Sequence, residues 1–185
     1  MFNFGTSDAD DFGLPASTVA LQEFIEGVMR NATAAEIDDE RVPPYVFQSG
    51  GLANALAEDL PEVPDFLQAP GGFICRQNTN RQWYLGGAGS GAPYHYHKDA
   101  WNVAVFGRKR WFLTPPLRSF YSSQPVADWL RADGERRDRP LECVQEPGDI
   151  LYVPHMWGHA TLNLADCVGM ATEFEFCPWY ALRRV

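Results

Sequence analysis

Two histidines separated by one residue, His95 and His97, with a third, His159, far downstream, constrain this chain more than any other feature. Side chains alternate across an extended strand, so an H-x-H pair projects both imidazoles to one face and forms a bidentate metal clip. A third ligand must then come from another strand. The segment around the pair has the composition this requires, because the 185 residues include 16 glycines and 14 prolines, which suits short strands and tight turns better than a helical bundle. Three histidines facing one cavity suit iron, nickel, copper or zinc.

The pattern along the chain supports a mainly β fold with a helical preface. Residues 1–16 are acidic and read as an irregular arm. Leu21, Phe24, Ile25, Val28 and Met29 recur at helical spacing, with Ser17 or Thr18 as a candidate cap. Pro43-Pro44 lead into a strand at Tyr45-Val46-Phe47, and Leu52 to Leu60 reads as a short helix. From Gln82 onward the chain is strand-rich: Trp83-Tyr84-Leu85, the turn-rich 86–91, then Pro93 to His97. Trp101 to Phe106 and Lys109 to Leu113 read as a hairpin joined at Gly107-Arg108. An insertion at about 115–140 follows, packed down by Phe120, Tyr121, Trp129 and Leu130 and ending in a mixed-charge loop. Strands resume at 141–144, 150–153, 159–164 and 167–176, with Glu146-Pro147-Gly148-Asp149 as a type II turn. The organisation is one domain: an N-terminal arm and helix over 1–44, then about eight strands over 45–180.

Charge and composition exclude several classes. A net charge of −9 opposes a nucleic-acid binder, which needs a basic face, and a polybasic membrane-surface protein. No apolar run approaches the ~20 residues that cross a bilayer. The four cysteines, Cys75, Cys143, Cys167 and Cys177, form no CxxC pair, so neither a structural zinc site nor a thioredoxin-type motif is expected. The start of the chain lacks the features of a signal peptide.

The segment from Gly148 to Asn163 follows a metal-binding cupin signature, G-x5-P-x-G-x2-H-x3-N, with Met156 at the second glycine position. Gly89 to His95, Ala100-Trp101-Asn102, Gly107 to Leu113 and Pro154 to Leu164 together closely resemble the JmjC (jumonji C) domain, over about residues 45–176, nearest to its small stand-alone members. The resemblance implies a double-stranded β-helix of the jelly-roll/cupin type with short N-terminal helices packed outside. It implies an Fe(II)- and 2-oxoglutarate-dependent oxygenase, a dioxygenase that hydroxylates a side chain of a protein or peptide substrate. It places His95 as first ligand, His159 as distal ligand and Lys109 as the cation for the far carboxylate of 2-oxoglutarate. Asn102, Thr172, Tyr45 and Asn163 are the further positions it assigns to the cosubstrate site.

Residue chemistry supports Lys109 independently, because a buried carboxylate needs a cation. Strand alternation leaves the inward face open between Lys109 with Trp111 and Arg108 with Arg110; the resemblance selects Lys109. The departure from the family pattern is His97, which stands where the second ligand is a carboxylate. Either three neutral histidines hold the metal, or Asp99 replaces His97. Four extended residues span about 13 Å, so Asp99 reaches the metal only if the chain curls, and an outer role orienting a ring N–H fits it better. A three-histidine site is one unit more positive than the usual triad. That change keeps two other readings in view: a non-catalytic JmjC binding or scaffold domain, and a three-histidine cupin acting on a small molecule. Homodimerisation is left open. So is the compartment: cytoplasm or nucleus if the chain is complete, the endoplasmic reticulum lumen if a leader is missing.

Overall fold

The computed structural model describes residues 2–4, 17–29, 45–49, 51–60, 64, 74–132 and 139–176. The expected acidic arm, the Pro43-Pro44 lead and the end of the insertion lie largely outside them. Among the described residues ten strands run in chain order: β1 (Phe2–Phe4), β2 (Ser17–Val19), β3 (Tyr45–Ser49), β4 (Ile74–Gly86), β5 (Asp99–Phe106), β6 (Lys109–Thr114), β7 (Leu141–Gln145), β8 (Ile150–Val153), β9 (Gly158–Asn163) and β10 (Cys167–Phe176). Among the described residues, β1 and β2 form a separate antiparallel pair, and the other eight make two sheets ordered β3-β4-β10-β5-β8 and β7-β6-β9. All these pairings are antiparallel. This is the double-stranded β-helix that the resemblance implied.

Alternation in each strand decides what lies on each side. In the five-stranded sheet Val46, Trp83, Leu85, Trp101, Val103, Met170 and Phe174 form a buried cluster with Phe24, Ala53 and Ala57 of the helical preface. Each such side chain fully withdrawn from water contributes about 1.5–3 kcal/mol. The preface comprises α1 (Leu21–Glu23), which runs on as a π-helical turn over Phe24–Met29, and α2 (Gly51–Ala57). The outer face of the three-stranded sheet is covered by the insertion, whose helix α3 (Val126–Ala132) brings Val126 and Trp129 against Tyr94, Phe112 and Ala160. Both outer faces are thus sealed by apolar packing, and the space between the sheets is left for chemistry.

Several local expectations are corrected. Ser17 and Thr18 lie in β2, and the residue before α1 is Ala20, which makes no side-chain cap bond. The link at Gly107-Arg108 is not a hairpin turn: β5 pairs with β10 and β8, whereas β6 pairs with β7 and β9. The chain crosses between sheets there, passing so close to another strand connection that a Cβ on Gly107 would lie 1.9 Å from the Asp166 carbonyl oxygen. The His95–His97 segment is not a regular strand. It joins the three-stranded sheet only through a bridge at His95, opposite His159. The turn at 146–149 forms as expected, with the Asp149 N–H donating to the Glu146 carbonyl at 3.0 Å and Gly148 at φ 91°.

Candidate metal and cosubstrate site

His95 and His159 exchange both backbone hydrogen bonds, at 3.0 and 2.8 Å, which places their side chains on the same face of the ladder. The chain then leaves the sheet, and the Met156 N–H donates to the His97 carbonyl at 2.9 Å, folding His97 back beside them. The three ring nitrogens available as ligands lie within 4.8 Å of one another. Ring centroids are 4.2 Å apart for His95 and His159 and 4.7 Å apart for His97 and His159.

Hydrogen bonding sets the tautomers. Nδ1 of His95 meets the Pro93 carbonyl at 2.8 Å, that of His97 the Lys98 carbonyl at 2.7 Å, and that of His159 the Trp157 carbonyl at 3.0 Å. A carbonyl oxygen only accepts, so each Nδ1 carries a hydrogen and Nε2 is the atom each ring has available for a metal. Burial, reinforced by the neighbouring His97, pushes the His95 pKa down to about 4. Burial and both neighbouring histidines hold His159 well below the ordinary imidazole range. Both rings are therefore neutral at pH 7, as ligands must be.

The turn before His159 is braced by Ser119 and by Asp99. Met156 has φ 61°, the left-handed conformation for which the signature normally supplies glycine. Ser119, from the insertion, donates its hydroxyl to the Met156 carbonyl at 2.7 Å and accepts the Gly158 N–H at 2.7 Å. Asp99 accepts from the Tyr152 hydroxyl at 2.5 Å and the His155 backbone N–H at 3.0 Å. Asp99 therefore neither joins the histidine cluster nor orients an imidazole, and it steadies the turn instead. The chain does curl after His97, but it curls away from carrying Asp99 to the cluster.

A cavity of about 480 Å³ lies between the sheets, walled by the three histidines together with Tyr45, Asn102 and Lys109. Lys109 and Trp111 take the inward face of β6, while Arg110 points outward to Glu142. Lys109 is only 1% exposed; its Nζ donates to the Tyr45 hydroxyl at 2.9 Å and sits 3.3 Å from the centre of the Tyr84 ring. No carboxylate among the described residues pairs with it, and burial drives its pKa down to about 7, opposed by nearby Cys167. Tyr84 was not foreseen as part of the site. Its hydroxyl donates at 3.1 Å to the Asn102 side-chain oxygen, and it lies over Gly169, where a Cβ would come within 2.1 Å of that hydroxyl. Asn102 is held from behind as well, since Gln145 Nε2 donates to its carbonyl at 2.9 Å.

Two assigned positions fall elsewhere. Thr172 has the parity of Met170 and Phe174, which face the outer apolar cluster, so its neighbours Ala171 and Glu173 line the cavity and it does not. Asn163 is buried behind the wall, with Nδ2 donating to the Ser90 hydroxyl at 2.9 Å. It pairs across the sheet with Lys109 and braces the deep end without lining the cavity. Further wall residues that sequence reasoning passed over are Gln82, Tyr96, Tyr121 and Glu173. For Glu173 the signal was available in its parity with Ala171 along β10. Cys143 and Cys167 are free thiols. No helix among the described residues is long and apolar enough to cross a membrane.

The residues fit a divalent metal and a dicarboxylate: three convergent imidazoles and, in the same cavity, a buried ammonium without an anionic partner among the described residues. Over 93 residues the chain is 42% identical to JmjC domain-containing protein 8 of Homo sapiens, covering 48% of this chain and 35% of that protein. Over 103 residues it is 35% identical to the 2-oxoglutarate and iron-dependent oxygenase JMJD4 of Homo sapiens, covering 47% and 25% respectively. The structure of YcfD, a ribosomal oxygenase from Escherichia coli, in complex with cobalt and 2-oxoglutarate shares the fold, with a TM-score of 0.51 at 16% identity over 91% of this chain and 38% of that one. The chain thus spans between a quarter and about a third of the length of those curated relatives. The family model of the JmjC domain matches residues 65–182, well over half of the 185, and the chain belongs to the JmjC domain family.

Proposed function

We propose that this domain is an Fe(II)- and 2-oxoglutarate-dependent oxygenase that hydroxylates a side chain of a protein substrate. The observation that carries the reading is Lys109, a buried ammonium hydrogen-bonded to Tyr45, without a carboxylate partner among the described residues, in the same cavity as three convergent histidines. Taking an ammonium out of water costs several kcal/mol unless an anion compensates it. His95, His97 and His159 would hold the metal through Nε2, and Lys109 with Tyr45 would hold a carboxylate of 2-oxoglutarate. Bound together, these two groups supply the oxidising power: dioxygen is reduced, 2-oxoglutarate becomes succinate and carbon dioxide, and a substrate C–H becomes C–OH.

The chain's own residues prepare this chemistry. The backbone carbonyls at Pro93, Lys98 and Trp157 hold each Nδ1–H, which leaves Nε2 of each ring to meet the metal. Tyr84 presents its ring face to the ammonium while its hydroxyl holds Asn102, so the cationic end of the cavity is ordered before a ligand arrives. The apolar clusters on both outer faces keep bulk water from reaching the cavity through the sheets.

The test is succinate formation from 2-oxoglutarate in the presence of Fe(II) and oxygen. Wild-type protein should release succinate, and Lys109→Met should lose at least tenfold in 2-oxoglutarate affinity while remaining folded. Equal turnover in the variant would refute the assignment. A second reading has one observation of its own. The cluster contains no carboxylate, and three neutral ligands leave the metal a unit more positive than the family pattern, as in a domain that binds without catalysis. Metal and 2-oxoglutarate binding without any succinate would favour that second reading.

A further inference from the structure

One buried amide ties the two sheets together behind the cavity. Gln145 closes β7, is 2% exposed, and stands opposite Lys109 on the inward face of the three-stranded sheet. Its Oε1 accepts the Trp111 indole N–H at 2.9 Å. Its Nε2 donates to two carbonyls beyond that sheet, Asn102 on β5 at 2.9 Å and Asp149 in the 146–149 turn at 3.0 Å. An indole N–H only donates and a carbonyl only accepts, so one orientation of the amide satisfies all three bonds. A side chain here must accept once and donate twice from one planar group. An amide does this; a carboxylate, a thioether or an alkyl chain does not.

Both residues that Gln145 joins line the cavity, one from each sheet, whereas Gln145 is not part of the wall. Trp111 stands two residues from Lys109 along β6, and the next position on the same face, Leu113, pairs with His159. The indole therefore lies between the ammonium end and the metal end, with its ring 5.7 Å from the His159 imidazole at 32°. Asn102 belongs to the ammonium end. Its side-chain oxygen accepts from the Tyr84 hydroxyl at 3.1 Å, and the Tyr84 ring carries the Lys109 ammonium. A run of contacts from His159 through Trp111, Gln145, Asn102 and Tyr84 to Lys109 thus follows the wall from one end to the other.

We infer that Gln145 is a positioning residue: by fixing the Trp111 indole against Asn102 it sets the room between the metal end and Lys109, and so the chain length of the 2-oxo dicarboxylate that the cavity accepts. The inference rests on the oxygenase reading for the identity of the ligand. One methylene is worth about tenfold or more in a closed pocket, and that discrimination needs walls that do not yield. Without Gln145 the indole N–H has lost its acceptor and the ring its fixed angle, so the middle of the cavity gives way to a longer chain.

The test uses ¹⁵N-labelled full chain loaded with Zn(II), titrated with 2-oxoglutarate and its longer homologues 2-oxoadipate and 2-oxopimelate, with binding read from amide shifts. The Trp111 indole resonance, assigned by its loss in Trp111→Phe, reports the clamp itself through its exchange with solvent. Wild-type protein should bind 2-oxoglutarate about tenfold more tightly than 2-oxoadipate. Gln145→Met, which keeps the length and bulk of the side chain, should narrow that preference to about threefold or less and speed exchange of the Trp111 indole N–H. Trp111→Phe leaves the two bonds of Gln145 to the carbonyls in place and should narrow the preference in the same way, which keeps the inference testable if Gln145→Met does not fold. A purely structural role would lower the melting temperature and weaken all three acids alike. An undiminished preference in folded Gln145→Met, or in Trp111→Phe where the first variant does not fold, would overturn the inference and leave the oxygenase reading intact. Equal binding of the three acids to the wild type would do the same. Absence of any 2-oxoglutarate binding to the wild type would sink the oxygenase reading, and the length selection with it.

Discussion

The Lys109 ammonium rests over Tyr84 with one hydrogen bond to Tyr45, and burial lowers its pKa to about 7 against an ordinary value of 10.5. The direction has consequences of opposite sign. Between pH 7 and about 10.5 the unfolded chain keeps a proton that the folded lysine has released, so on this group's account the ligand-free fold gains stability as pH rises. Pairing with a carboxylate needs the protonated form, so 2-oxoglutarate affinity should fall by up to about tenfold per pH unit above 7. Melting temperatures with and without 2-oxoglutarate at pH 6.5, 7.5 and 8.5 check both effects. The ligand-induced shift should shrink as pH rises, and a pH-independent shift would contradict the role of Lys109. At the neighbouring departure from the family pattern, His97 and Asp99 separate cleanly. His97→Ala should lose bound metal. Asp99→Asn should keep it while losing about 1–2 kcal/mol of stability, because its bonds to Tyr152 and His155 hold a turn and not an imidazole. Metal analysis and thermal melts on the two variants decide the matter.

Position within elements explains what could be read in advance and what could not. Strands with one sealed face and one cavity face leave a period-2 pattern, so β3, β5, β6 and β8 to β10 were legible, as was the meeting of His95 with His159. Alternation alone left Lys109 and Arg110 equivalent, because both faces of β6 carry long basic and aromatic side chains. Thr172 was misplaced for a related reason: its parity with Phe174 puts it on the apolar side, and the family resemblance overrode that pattern. The sheet crossing at Gly107 was not legible, because two strands separated by two residues look the same in sequence whether they pair or part. The insertion's anchoring contact was also invisible. Ser119 reaches across to the turn that delivers His159, and nothing in local sequence links the two. Ser119→Ala should leave the Gly158 N–H unsatisfied, cost about 1–2 kcal/mol, and weaken metal binding by several-fold. Cobalt(II) titration followed by its visible d–d absorption would show this, and unchanged cobalt affinity would confine Ser119 to stability.

At the scale of the whole molecule, two sheets sealed on their outer faces enclose a cavity walled by three histidines and a buried lysine. The fold itself was legible because glycine, proline and alternating apolar residues leave few other ways to bury an H-x-H clip with a distant histidine. Tyr84 was not, since its importance comes from what stands opposite it in neighbouring strands. The central claim is that three histidines and one buried lysine make a joint site for a metal and a dicarboxylate. Anaerobic titration of the Fe(II)-loaded protein with 2-oxoglutarate tests this most directly. The structure predicts a new visible charge-transfer absorption that saturates with 2-oxoglutarate, a raised melting temperature, and loss of both in Lys109→Met. Stoichiometric iron with neither absorption change nor stabilisation would contradict it.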